Sequence, residues 1–190
     1  MSEMEARLAA LEAEVAGLRE VKDRQEILTC IQRESRARDR QDSEMIASCW
    51  WADGIDEHGA FIHRMPDYPE SANAGHKANF LQTSHNITNH LCEIEGDTAY
   101  CESYVIGGLF WKSGDRMSFG IGRYLDQLEK RNGEWRMKTR RCTIEMTGDC
   151  DASWVYSDAV KGFLKGQWSK ADPSYERPIV AKDTSQGLRW

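Results

Sequence analysis

The segment Ser84–His90, SHNITNH, sets two of the five histidines five residues apart around a Thr-Asn pair. Histidine is the side chain whose ordinary pKa lets it take and return a proton near neutral pH, so either ring is a candidate base. On a regular strand successive side chains point to opposite faces. The odd separation therefore sends His85 and His90 to opposite sides of a sheet, where one at most meets a given pocket and the two share no metal. A base of this kind works best when a buried carboxylate holds one ring nitrogen, fixes the tautomer and stabilises the imidazolium that forms.

Other residues could join such a site. In KTRRC, Arg140 and Arg141 are neighbours, so alternation turns only one inward, where a guanidinium can stabilise an enolate, a phenolate or a departing oxygen. Asn89 shares a face with His85 if the strand is regular. Tyr104 and Tyr124 lie on strand-like runs and can donate to a substrate oxygen. Trp51 is one of seven tryptophans, enough to wall a pocket for a flat apolar ligand. The segment DEHGAFIH offers Asp56, Glu57, His58 and His63 as metal ligands but has no recognised ligand spacing. No metal and no cofactor are expected.

Positioning these residues falls to two kinds of element. Met4, Leu8, Leu11, Val15 and Leu18 follow a 4-3-4-3 spacing with charges between them, which predicts an amphipathic helix carrying a short heptad seam. A second apolar set, Ile27, Leu28 and Ile31, follows the charged REVKDRQE and predicts a helix ending near Asp39. DSEMIASCWWADG reads as a short helix capped by Asp42 or Ser43 and stopping near Gly54. Residues 52–84 carry only a weak helical pattern in GHKANFLQTS. From 86 onward the period becomes two, with runs near 86–95, 98–112, 116–130 and 134–147 separated by turns that each carry a glycine. This predicts an antiparallel meander. Runs of about 15 residues exceed the usual strand, so the sheet must bend, and the hairpin about Gly114 sets Gly107 and Gly108 against Gly120 and Gly122, where a sharp bend is permitted. After Cys150, SWVYSDAVKGFLKG presents an apolar stripe and predicts a last helix; the remainder is polar and aperiodic, a draped arm or a disordered end.

The chain has 190 residues and a net charge of −6, enough for one domain that buries a core and encloses a cavity. Its acidic balance argues against nucleic acid, which is bound through clustered Lys and Arg. No apolar run reaches the roughly 20 residues that span a membrane, and the start lacks the design of a signal peptide, so a cytoplasmic protein is expected. The six cysteines show no CxxC spacing and are expected to be reduced.

Helices followed by a bent antiparallel sheet is the order of the nuclear transport factor 2-like superfamily. QEILTCIQRESRARDRQDSEMIASCWWADG, SHNITNHLCEIEGDTAYCESYV and GRYLDQLEKRNGEWRMKTRRC resemble its SnoaL-like branch, over roughly residues 22–147, and in order and spacing look most like its dehydrochlorinase and dehydratase members. The resemblance implies an α+β fold: a cone-shaped half barrel of strongly bent antiparallel sheet closed by N-terminal helices. Residues 1–21 are then an extra helix and 150–190 a C-terminal extension around a barrel domain of 22–149. It places the family's catalytic histidine on His85, the partner aspartate on Asp39 and an active-site arginine on Arg140. A lysine five positions before that aspartate has no counterpart, because Glu34 stands there. The implied activity is a cofactor-independent lyase acting on a small apolar cyclic or aromatic compound, by elimination or by retro-aldol release of a small aldehyde. An isomerase, a polyketide cyclase, a binding module or a ring-hydroxylating dioxygenase β subunit are the other readings the branch allows. The only partners expected are the substrate and further copies of the chain, with a trimer favoured by the resemblance.

Overall fold

The computed structural model describes residues 2–181, 183 and 185–190. Its first element, α1 (Glu3–Arg40), is one unbroken helix of 38 residues, where two were expected. The charged stretch that suggested a break is helix-forming: Glu20–Arg24 and Lys22–Glu26 close i,i+4 ion pairs of 2.8 and 3.0 Å, which support a helix. Ser2 and Glu5 cap its start reciprocally, and Gln41 ends it in the left-handed conformation at φ 55°. α2 (Ser43–Ser48) is capped by Asp42, whose carboxylate accepts from the Met45 N–H at 3.1 Å. It stops six residues short of Gly54, because Trp50 already begins a strand.

That strand, β1 (Trp50–His58), pairs with β2 (Phe61–Arg64) in a hairpin, and α3 (Tyr68–Asn79) follows with Pro69 in its first turn. The unpatterned third of the sequence is thus a hairpin and a helix. Its strands show no clean alternation because β1 lies parallel against β6 (Glu134–Asp151) with a register shift between Trp50 and Ile55. β3 (Phe80–Glu95), β4 (Thr98–Trp111) and β5 (Arg116–Arg131) complete a six-stranded sheet ordered β2-β1-β6-β5-β4-β3. The sheet is curved and unclosed, and with the helices it makes the α+β half barrel.

Glycines sit where the curvature needs them. Gly107 faces Gly120 across the β4–β5 ladder. Gly122 adjoins a bulge between β5 and β6, and a Cβ there would lie 1.9 Å from the Thr143 carbonyl oxygen. The core fills the space between the C-terminal half of α1 and the concave sheet: Ile27 and Ile31 meet Trp50, Leu128, Trp135 and Met137, all under 5 % exposed. Burial of this apolar surface is what holds the helix in place.

The helix expected over residues 153–166 is absent. A single 3-10 turn, Ser153–Tyr156, is followed by turns with Gly162 at φ 90°, and the chain returns so that Trp190 donates to the Phe163 carbonyl at 3.2 Å. The tail is a draped arm: Gln82 donates to the Gly166 carbonyl, Arg40 pairs with Asp172 at 2.8 Å, and Lys170 pairs with Asp42.

Gly122→Ala is expected to cost about 2 kcal/mol or more, because the backbone it would strike cannot move without breaking the β5–β6 ladder. Gly148→Ala, on the same sheet with nothing within 4 Å, should stay within about 0.5 kcal/mol. Urea unfolding of both variants checks the contrast.

Candidate active site

α1 ends over the mouth of the half barrel and carries Asp39 to β3. Asp39 Oδ1 lies 2.6 Å from His85 Nδ1, Oδ2 accepts from the His85 backbone N–H at 2.7 Å, and Thr83 Oγ1 donates to Oδ1 at 3.0 Å. Burial raises the carboxyl pKa, but the His85 and Thr83 hydrogen bonds outweigh it and hold the group below its ordinary value. Asp39 is therefore ionised and accepts from a proton-bearing Nδ1, an arrangement that in the neutral ring puts the lone pair on His85 Nε2.

His85 lines a cavity of about 150 Å³ whose walls include Phe80, Val105, Leu109 and Ile144, with Gly107 and Gly120 on its floor. A cavity of this size with apolar walls takes a single benzene ring. Two further histidines face it. His76, from α3, stacks on His85 with ring centroids 5.6 Å apart. Burial and the nearby Arg38 charge push its pKa down to about 3, so it is neutral. His58, on β1, lies 3.5 Å from Asp56, an ion pair wider than a hydrogen bond. Burial draws the His58 pKa down, but Asp56 and the Cys142 sulfur outweigh burial and hold it at about 9. Asp56 is 1 % exposed, and neither carboxylate oxygen has a hydrogen-bond partner among the described residues. The cavity thus brings together two His–Asp pairs, one closed by a 2.6 Å hydrogen bond and one held wider at 3.5 Å.

Arg140, not Arg141, turns inward, but it does not reach the cavity. It is fully buried, with Nη1 2.6 Å from Glu34 and Nε and Nη2 at 2.7 and 2.9 Å from Asp126, and its guanidinium lies over the Tyr124 ring at 3.9 Å. Glu34, standing where the resemblance led to a lysine, is the partner that seals it. The guanidinium lining the cavity is that of Arg38, 4 % exposed, which donates to Tyr68 Oη at 2.9 Å while its Nε has no partner among the described residues.

The remaining candidates divide. Tyr124 lines the cavity, with burial pushing its hydroxyl pKa up. Arg141 points outward and pairs with Glu57 at 2.8 Å. Trp51 lies at the sheet's edge between Arg131 and Arg136, donating to the Glu129 carbonyl. Tyr104 is 41 % exposed on the outer face. Asn89 is exposed as well, and His90 faces the same side as His85, reversing the expected parity. The reason is a bulge in β3: pairing with β4 shifts between Ile87 and His90, so Thr88 and Asn89 both stay outside. Of the DEHGAFIH set, Asp56 and His58 turn inward, while His63 meets Ser71. Elsewhere, beneath α1, His90, Cys92 and Cys101 bring three metal-binding atoms within 4.8 Å of one another.

Arg38 and His76 escaped the sequence reading, and His58 entered it only as a candidate metal ligand. A signal for Arg38 existed: Ile27, Ile31, Glu34 and Arg38 continue one 4-3-4 stripe, which places the two charged residues on the buried face of α1. His58 and His76 lie in the segment whose pairing partners are distant in sequence.

With this geometry in view, comparison with known proteins is informative. The SnoaL-like domain model matches residues 19–141. The chain belongs to the SnoaL-like family. Among solved structures, a hexachlorocyclohexane dehydrochlorinase, LinA type 2, superposes with a TM-score of 0.66 at 19 % identity, over 72 % of this chain and 94 % of the other. A Novosphingobium aromaticivorans protein provisionally assigned as a scytalone dehydratase gives 0.63 at 22 %, over 69 % and 89 %. A protein of unknown function from Mycobacterium tuberculosis gives 0.60 at 29 %, over 67 % and 74 %. Compared with curated proteins by sequence, the chain matches none. Among the described residues, no helix is long and apolar enough to cross a membrane.

Two outcomes follow from the charges. Arg140→Met leaves Glu34 and Asp126 buried without their cation and should cost about 3–5 kcal/mol, whereas replacing all three with apolar residues of similar volume should recover most of it; urea unfolding reads both. His58, whose folded pKa is raised above its ordinary 6.5 to about 9, contributes stability that is complete below pH 6.5 and disappears as pH rises through 9. The difference in melting temperature between wild type and His58→Gln should therefore shrink across that window.

Proposed function

We propose that this SnoaL-like protein is a cofactor-independent lyase, acting on a small apolar compound built around a single ring. The observation that carries the reading is the 2.6 Å contact of Asp39 with His85 on an apolar cavity that His58, paired with Asp56, also lines. In an elimination, His85 Nε2 removes a proton from carbon and Asp39 stabilises the imidazolium that forms. The electron pair becomes the new double bond, and the leaving group departs from the neighbouring carbon as it takes a proton from the His58 imidazolium. In a retro-aldol variant His85 takes the proton of a hydroxyl, the C–C bond breaks to release a small aldehyde, and the carbon left with the electron pair is protonated by His58. Arg38 sits where it can stabilise an oxyanion in either case, and Tyr124 is a neutral donor beside it. His76, neutral and stacked on His85, keeps the base's ring in place without adding a charge. The protein works in the cytoplasm as a homo-oligomer and needs no large partner chain.

A panel of hydroxylated and halogenated single-ring compounds, assayed by mass spectrometry for loss of water, hydrogen halide or formaldehyde, identifies the reaction. His85→Ala should lower kcat/KM by roughly 10²–10⁴, the usual yield of a positioned base. Asp39→Asn should lower kcat by orders of magnitude while the protein stays folded, since the neutral amide neither fixes the tautomer nor balances the imidazolium. An Asp39→Asn sample with a lowered melting temperature and unchanged turnover per folded molecule overturns the assignment. If His58 is the acid, activity should decline as pH rises through about 9, and His58→Gln should abolish that descending limb.

A further inference from the structure

The N-terminal half of α1 lines no part of the cavity and, among the described residues, stands clear of the core. Every described residue from Ser2 to Lys22 is exposed, a projection of roughly 30 Å at 1.5 Å per residue. It precedes most of the region matched by the family, which begins at residue 19. Yet it carries an apolar seam: Met4, Leu8, Leu11, Val15 and Leu18 are 43–76 % exposed along one stripe. A helix of this length standing free in water is marginal, and contact along the seam is the ordinary way to stabilise it.

We propose that this seam is the contact surface for a second copy of the same chain, joined as a parallel, in-register coiled coil. Assigning the stripe to the core places Leu8 and Val15 at a positions and Met4, Leu11 and Leu18 at d positions. The flanking g and e positions are then Arg7 with Glu12 and Glu14 with Arg19. In a parallel coil each g residue faces the e residue five positions later on the partner, so Arg7 meets Glu12 and Glu14 meets Arg19, both attractive and both doubled by symmetry. The antiparallel arrangement that overlaps the whole seam opposes Glu12 to Glu12 and Glu14 to Glu14 at its centre. Charge therefore selects the parallel form. It also selects against a lipid surface, because residues 2–21 carry five acids and two arginines, whereas a helix that lies on a membrane is rich in Lys and Arg. The next a position is Lys22, a charge at which the coil ends as the helix reaches the domain. A parallel join leaves both domains at the same end of the coil, side by side, and it is independent of the reaction the cavity performs.

Sedimentation equilibrium of the full chain tests this. Wild type should give a mass of at least two chains at micromolar concentration, and Leu11→Asp/Val15→Asp should raise the midpoint for association at least tenfold with the domain's melting temperature unchanged. Glu12→Arg should weaken association and Arg7→Glu/Glu12→Arg restore it. In a Cys150→Ser background, Leu11→Cys should form an intermolecular disulfide under a mild oxidant, because d positions meet in register only in a parallel coil. A wild-type mass of one chain, a double-aspartate variant with the wild-type midpoint, or an absent cross-link each overturns the proposal.

Discussion

Arg140, Glu34 and Asp126 form a closed ion triad in which every side chain is fully buried. Charges so placed are costly to desolvate, and they persist only because the guanidinium geometry satisfies both carboxylates at 2.6–2.9 Å. Glu34 belongs to α1, Asp126 to β5 and Arg140 to β6, so the triad fixes the helix on the concave face of the sheet at one rotation and one height. Tyr68, which donates to Glu34 at 3.1 Å and accepts from Arg38, ties α3 into the same network. Asp39 lies five residues beyond Glu34. If α1 turned or slid by one residue, Asp39 would leave His85, and the catalytic reading rests on that 2.6 Å contact.

The cavity makes three chemically identical rings differ. His76 is surrounded by apolar wall and faces Arg38, so its charged form is suppressed. His58 has the orphan carboxylate of Asp56 behind it, and its charged form is favoured. His85 has one nitrogen committed to Asp39 at 2.6 Å. An apolar enclosure sharpens these differences because charges interact more strongly away from water.

What the sequence alone determined was local. The period-two runs and their glycine-bearing turns locate β3 to β6 to within a few residues, except where β3 begins six residues earlier and β6 runs four further, since hairpin pairing is dictated by neighbours in the chain. Of the glycines expected to face one another at the bend, Gly107 and Gly120 do so, as the hairpin register dictates, whereas Gly108 faces Phe119 and Gly122 faces Val105. The Asp39–His85 pairing came from family resemblance rather than from any local pattern, because 46 residues separate the two.

Only the tertiary structure decided which side chains meet. The bulge after Ile87, which sets Thr88 and Asn89 against the single residue Tyr104, is invisible to alternation, and its one extra residue reversed the faces of Asn89 and His90. Arg140 was correctly the inward arginine of its pair, but whether an inward charge lines a cavity or is sealed in a triad depends on Glu34, which is 106 residues away. β1 could not be read because its parallel partner is supplied by the last strand, and so His58 and Asp56 were legible as residue types but not as an acid beside a base. Alternation and helical period are properties of the backbone and its nearest neighbours. The protonation state of a buried ring is set by charges that only folding brings within reach.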